Sequence, residues 1–189
     1  RHVGRAFGVV SVDANDDGWP DLFVSSDATP NLLLMNMRDG TFKDVALDAD
    51  VAFNSEGMAR SGMGVDAGDI NGDGLADFVV TNFHDEHHAL YLSSAKLPYQ
   101  EWARESGLAR FTHPYVGWGV GFLDYDNDGN LDLMIVNGHV TDTIGMARKD
   151  ITYKQPPLLL RNRGQVRFES TGEQAGHVFV RDYAARGLA

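Results

Sequence analysis

Three acidic nonapeptides carry the chemistry of this chain. They are DANDDGWPD at residues 13–21, DINGDGLAD at 69–77 and DYDNDGNLD at 124–132. All three fit D-x-[DN]-x-D-G-x-x-D, and their starts lie 56 and 55 residues apart. Oxygens at positions 1, 3 and 5 of a tight turn converge on one point, which suits a hard divalent cation that wants six to eight oxygen ligands. Those positions hold Asp13, Asn15 and Asp17, then Asp69, Asn71 and Asp73, then Asp124, Asp126 and Asp128. Glycine at position 6 (Gly18, Gly74, Gly129) permits a positive φ. Position 7 (Trp19, Leu75, Asn130) offers a carbonyl oxygen, and position 9 (Asp21, Asp77, Asp132) closes the shell. The expectation is three calcium sites, with the third tightest because it alone has aspartate at position 3.

Two other structures could use such loops. An EF-hand needs a bidentate Glu at position 12 and flanking helices. Here each loop runs into a short apolar stretch, Leu22-Phe23-Val24, Phe78-Val79-Val80 or Leu133-Met134-Ile135-Val136, which reads as a strand. Ordinary acidic turns use the same residue types. However, three copies in one register, each flanked by strands, point to an array, and clustered carboxylates without a cation repel one another.

The elements that position the loops follow from overlaying the copies. Strand one precedes the loop at 7–12, 63–68 and 118–123, with a glycine (Gly8, Gly64, Gly119) five residues before it. Glycine there signals close backbone approach. Strand two follows the loop; strand three spans 31–36, 89–92 and 158–162; strand four spans 41–44, 98–101 and 167–169. Four short antiparallel strands per repeat predict an all-β fold of propeller blades, with a sandwich or a solenoid as alternatives. The repeats run approximately 5–60, 61–115 and 116–183, and 184–189 reads as the start of a fourth. Because a propeller ring usually needs four to eight blades, three imply part of a larger propeller or one completed by another chain.

Composition narrows the function. Of 189 residues, 43% are hydrophobic and 23% charged, a globular balance. Net charge is −11, and ten of the 27 acids lie at the loop ligand positions; three calcium ions would bring the charge to −5. No basic stripe points to nucleic acid. There is no cysteine, hence no disulfide, and no apolar run of membrane-spanning length. The chain opens on Arg1-His2-Val3-Gly4 without a signal segment, which is expected of a processed or truncated secreted precursor. An extracellular or periplasmic setting, where calcium is near millimolar, suits such loops.

Other candidates are weaker. His84, His87 and His88, with Asp85 and Glu86, form a metal-ligand composition, but adjacent residues of an extended segment point apart and a solvated loop is the simpler reading. His139 is either catalytic or a hydrogen-bonded structural residue. The insert 140–157 is long enough to serve recognition, with Met146, Arg148, Lys149 and Tyr153 as contacts, or to pack over a blade edge. Serines such as Ser11 and Ser25 lack a nucleophile-elbow context, and no phosphate-cradling glycine loop precedes a helix.

The repeats resemble the FG-GAP/VCBS repeats of integrin-α-like β-propellers, and finer likeness to the ASPIC/UnbV (cartilage acidic protein-like) group lies in residues 60–83 and 136–164. The resemblance implies an extracellular or periplasmic protein, structural calcium in each loop between strands one and two, and a propeller face used for recognition. It implies no shared catalytic activity. A non-enzymatic calcium-stabilised scaffold with a protein or glycan partner is the leading expectation. Behind it stand the body of a secreted polysaccharide lyase or hydrolase, and a self-assembling protein pairing through open blade edges.

Overall fold

The computed structural model describes residues 4–94 and 96–188; Ala189, in the expected start of a fourth repeat, and Arg1–Val3 of the opening segment lie outside them. Among the described residues, twelve strands form three four-stranded antiparallel sheets, each in plain meander order. The first holds β1 (Ala6–Val12), β2 (Asp21–Ser26), β3 (Leu32–Asn36) and β4 (Phe42–Asp44). The second holds β5 (Val65–Gly68), β6 (Asp77–Val80), β7 (Ala89–Leu92) and β8 (Gln100–Glu101). The third holds β9 (Gly117–Leu123), β10 (Asp132–Asn137), β11 (Leu158–Asn162) and β12 (Phe168–Ser170). These are three propeller blades, all-β as expected. Short helices, for which the sequence offered no period, sit in connections: α1 (Leu108–Thr112), α2 (Ile144–Ala147) and α3 (Gly172–Ala175).

Side chains alternate across each strand, so each blade has two faces to cover. Phe78 and Val80 on one face of β6 join Phe23, Leu33 and Met35 of the first blade, with the Phe23 and Phe78 rings 4.6 Å apart. Val79 on the other face joins Leu133, Ile135 and Leu160 of the third blade. Every residue of β6 is therefore buried. β2 is different: Phe23 is buried while Leu22 and Val24 stay partly exposed, because nothing in the described chain covers that face.

The strands that open the blades, β1, β5 and β9, lie side by side. A Cβ on Gly8 would come within 2.6 Å of the Met63 carbonyl oxygen, and one on Gly64 within 1.9 Å of that of Trp118. The expected backbone crowding is present, and only glycine fits it. The hydroxyls of Ser25 and Thr81 donate to the same two carbonyls. A further link recurs in register: Gly62 N–H donates to Ser26 O at 2.9 Å, Gly117 N–H to Asn82 O at 3.1 Å and Ala185 N–H to Asn137 O at 3.2 Å. Leu188 lies against Gly119 and Gly121.

Candidate metal loops and a histidine pair

Each nonapeptide forms one tight turn between the first two strands of a blade. Its glycine at position 6 has φ near +85° (Gly18 85°, Gly74 87°, Gly129 87°), with open space where a Cβ would lie. Position 4 is also left-handed in every copy: Asp16 at 55°, Gly72 at 76° and Asn127 at 58°. Asp, Asn and Gly are the residues that tolerate this conformation, so their presence at position 4 is itself a sequence signal of the turn.

The first aspartate of each loop faces inward onto the turn's own amides. Asp13 accepts from Asp17 N–H (3.0 Å) and Gly18 N–H (2.6 Å). Asp69 accepts from Asp73 N–H (3.0 Å) and Gly74 N–H (2.8 Å), and Asp124 from Asp128 N–H (3.0 Å) and Gly129 N–H (3.0 Å). The aspartate at position 5 accepts the amide of position 7 at 2.9 Å in all three: Asp17 from Trp19, Asp73 from Leu75 and Asp128 from Asn130. Asn15 stands beside Asp17, and Asn71 donates to Asp73 at 3.0 Å.

The aspartate at position 9 has a second job. Asp21, Asp77 and Asp132 are fully buried. One oxygen of each accepts the amide of position 2, from Ala14, Ile70 and Tyr125 at 3.0, 3.0 and 3.1 Å. The other accepts an amide at the end of strand three, from Asn36, Ser93 and Asn162 at 2.7, 2.7 and 2.8 Å. This residue thus pins the loop to the blade whatever the loop holds. Burial pushes Asp77 up to about 6 and raises Asp132 as well.

The donor set of the third loop fits a hard cation. Oxygens of Asp124, Asp126 and Asp128 lie within 4.8 Å of one another. Asp126 Oδ1 is buried and has no hydrogen-bond partner, an arrangement that calls for a cation or an ordered water. On its outer side Arg161 Nη2 reaches Asp126 Oδ2 at 2.6 Å and Asp128 Oδ2 at 2.8 Å. That guanidinium holds Asp128 at about 2. Arg38 similarly pairs with Asp17 at 2.8 Å in the first loop.

The histidines regroup. His87 binds Glu101 and Arg60, each at 3.2 Å, and His88 is fully buried with Nδ1 accepting Asn82 N–H at 3.1 Å. His84 instead meets His139, ring centroids 5.1 Å apart, with Phe83 against both. The cluster read from neighbouring residues therefore does not converge. The pairing had a signal in the repeat: both residues stand seven positions after the ninth-position aspartate of their blades.

In the insert, Arg148 pairs with Asp85 at 3.0 Å and Asp150 at 2.8 Å, and Lys149 donates to Gly145 O at 2.9 Å. Tyr153 O accepts His139 N–H at 2.8 Å, and Met146 projects into solvent, 80% exposed.

A family model described as an FG-GAP-like repeat matches residues 13–80, which cover the first two loops and the strands between them. The repeat is FG-GAP-like. Two relatives extend the likeness. Cartilage acidic protein 1 of Xenopus tropicalis is 31% identical over 120 residues, and that of Homo sapiens 32% over 117. Each match covers 62% of this chain but only 17% of the relative, so the chain spans a small part of those proteins. Among solved structures, an Agrocybe aegerita lectin described for recognition of non-reducing terminal N-acetylglucosamine aligns with 88% of this chain and 37% of its own. Its TM-score is 0.48 at 16% identity. No helix among the described residues is long and apolar enough to cross a membrane.

Proposed function

We propose that this chain is a calcium-loaded segment of an extracellular or periplasmic β-propeller that works as a recognition or structural scaffold, with one calcium ion in each nonapeptide loop. The observation that carries the reading is the third loop, where three carboxylates crowd together and one buried oxygen of Asp126 lacks a partner. Asp13, Asn15, Asp17 and Asp21 would hold the ion of the first loop, with their equivalents in the other two. Calcium would neutralise each turn and fix its geometry. The likeness to cartilage acidic protein 1 supports the setting, and the partner is a protein or glycan, not nucleic acid.

The test is calcium calorimetry backed by terbium luminescence, since Trp19 in the first loop and Tyr125 in the third would lie near an ion held there and sensitise it. Three calcium-displaceable sites are expected, with magnesium a poor competitor because it demands near-octahedral geometry at shorter distances. Absence of saturable calcium binding to the folded protein would overturn the reading.

A second reading concerns assembly, favoured by the uncovered apolar face of the first blade. Leu22, Val24, Leu32 and Leu34 are partly exposed there, on the side away from the second blade. At the other end, residues 185–188 lie on the third blade in the place that 62–65 take on the first. We therefore infer that further blades, from a longer chain or a second copy, extend the array on both sides. Sedimentation distinguishes the two sources: a concentration-dependent dimer supports the second copy, and a monomer at all concentrations leaves only the longer chain.

A further inference from the structure

We propose that His84 and His139 form a site for one borderline-soft divalent transition ion, zinc by class, at the seam between the second and third blades. This site is separate from the nonapeptide loops and does not depend on the calcium reading.

Each imidazole leaves one ring nitrogen buried and without a partner: Nδ1 of His84 and Nε2 of His139. Such orphaned nitrogens are uncommon in folded proteins and ask for an explanation. The remaining nitrogen of each ring is backed by oxygen. His84 Nε2 stands 3.9 Å from Asp85 Oδ2. His139 Nδ1 accepts Thr141 N–H at 3.0 Å in the metal-free ring and lies 3.3 Å from Thr141 O, which would accept its proton once Nε2 took a metal. A ligating histidine characteristically gives its other N–H to a carboxylate or a carbonyl, which fixes the tautomer and raises basicity.

The spacing agrees. Zinc lies about 2.0–2.1 Å from each imidazole nitrogen, so two rings on a tetrahedral ion have centroids roughly 5 Å apart. The observed separation is 5.1 Å, and the planes are inclined by 45° and so are not stacked. His139 is 2% exposed and the His84 side chain 14%, so water has limited access. Burial lowers the pKa of His84, keeping it in the neutral form that metals bind. Phe83 closes one side of the pair. Two protein ligands leave positions for water or an exogenous group, which makes this an open site, unlike a closed four-ligand structural centre.

The consequence is mechanical as well as chemical. His139 stands at the root of the insert, and Asp85, which backs His84, is also held by Arg148 from within the insert. An ion on both rings would fasten the insert to the preceding blade.

The experiment is zinc calorimetry on the whole chain in millimolar calcium, which keeps the acidic loops filled. One zinc site is expected. His84→Gln and His139→Gln should each weaken it at least tenfold, and Asp85→Asn should weaken it about tenfold or more by loosening the His84 ring. His113→Gln serves as a control and should leave it unchanged. Zinc-edge absorption on the wild-type protein counts imidazoles independently of any folding defect in a variant, and two are expected. A zinc site unchanged in both histidine variants, no saturable site, or an absorption spectrum without histidine scattering would each overturn the proposal.

Discussion

Gly64 lies so close under the carbonyl of Trp118 that a Cβ there would sit 1.9 Å from the oxygen. Its φ is not in the left-handed region, so the requirement is for space alone. Because the oxygen belongs to the backbone of the next blade, it cannot swing away, and Gly64→Ala must push two blades apart. Overpacking of this kind costs about 3 kcal/mol or more, which for a chain of this size lowers Tm by roughly 6–12 °C. Gly187→Ala, where a Cβ meets nothing within 4 Å, should leave Tm within a degree or two. Equal melts for the two variants would refute the crowded-strand account.

The ninth-position aspartates separate a structural from a metal-binding role. Asp132→Ala removes the acceptor of two amides, those of Tyr125 and Asn162. An unpaired buried amide costs about 1–3 kcal/mol, so the variant should lose roughly 2–6 kcal/mol even in excess chelator. Asp128→Asn behaves differently, because that side chain meets strand three through a partly exposed ion pair with Arg161, a kind of contact that contributes little. It should cost little in chelator and lose most of the third loop's calcium stabilisation. That stabilisation is about 2.7 kcal/mol when free calcium is a hundredfold above Kd. Urea unfolding with and without calcium separates the two: the Asp132→Ala defect persists in chelator, and that of Asp128→Asn emerges only with calcium.

What the sequence disclosed and what it hid divide along a physical line. The loops and the strands after them were legible because local residue types dictate them: Asp and Gly make the turn, and Leu-Phe-Val or Phe-Val-Val makes a two-faced strand. The boundaries of β7 and β11 coincide with those expected, since turn residues bracket both. Hidden were relations that need the third dimension. The partners of Asp21, Asp77 and Asp132 on strand three lie 15, 16 and 30 residues away, the last distance set by the insert. The meeting of His84 with His139 depends on neighbouring blades presenting the same register position, while His87 and His88 diverge despite their adjacency.

Arg161 complicates the expectation that the third loop binds calcium most tightly. Its guanidinium already lies on Asp126 and Asp128, the oxygens a calcium ion would share. It substitutes in part for the cation and repels it when bound. Arg161→Gln should therefore act with opposite signs in the two states. In chelator it should lower stability, because Asp124, Asp126 and Asp128 are left facing one another. In calcium it should tighten the third site by roughly tenfold. Site-resolved terbium displacement through Tyr125 reads this directly, and a weaker third site in the variant would show that Arg161 assists binding instead.

His88 makes folding stability depend on pH. It is fully buried beneath Gly117, and burial pushes its pKa down to about 3 from an ordinary 6.5. The folded state thus refuses a proton that the unfolded chain accepts below pH 6.5. Stability contributed by the neutral ring is complete above that pH and is lost as the pH falls from 6.5 toward 3, at about 1.4 kcal/mol per pH unit. Asp77 works against this loss, since its carboxyl, raised to about 6 by burial, takes up a proton in the folded state first. Comparison with His88→Gln in chelator cancels Asp77, which is the same in both proteins. Glutamine retains an acceptor for the Asn82 amide and cannot titrate. The stability difference between wild type and variant should shrink by about 1.4 kcal/mol for each pH unit between 6 and 4. A difference that stays constant across that range would mean that His88 titrates normally and that water reaches it.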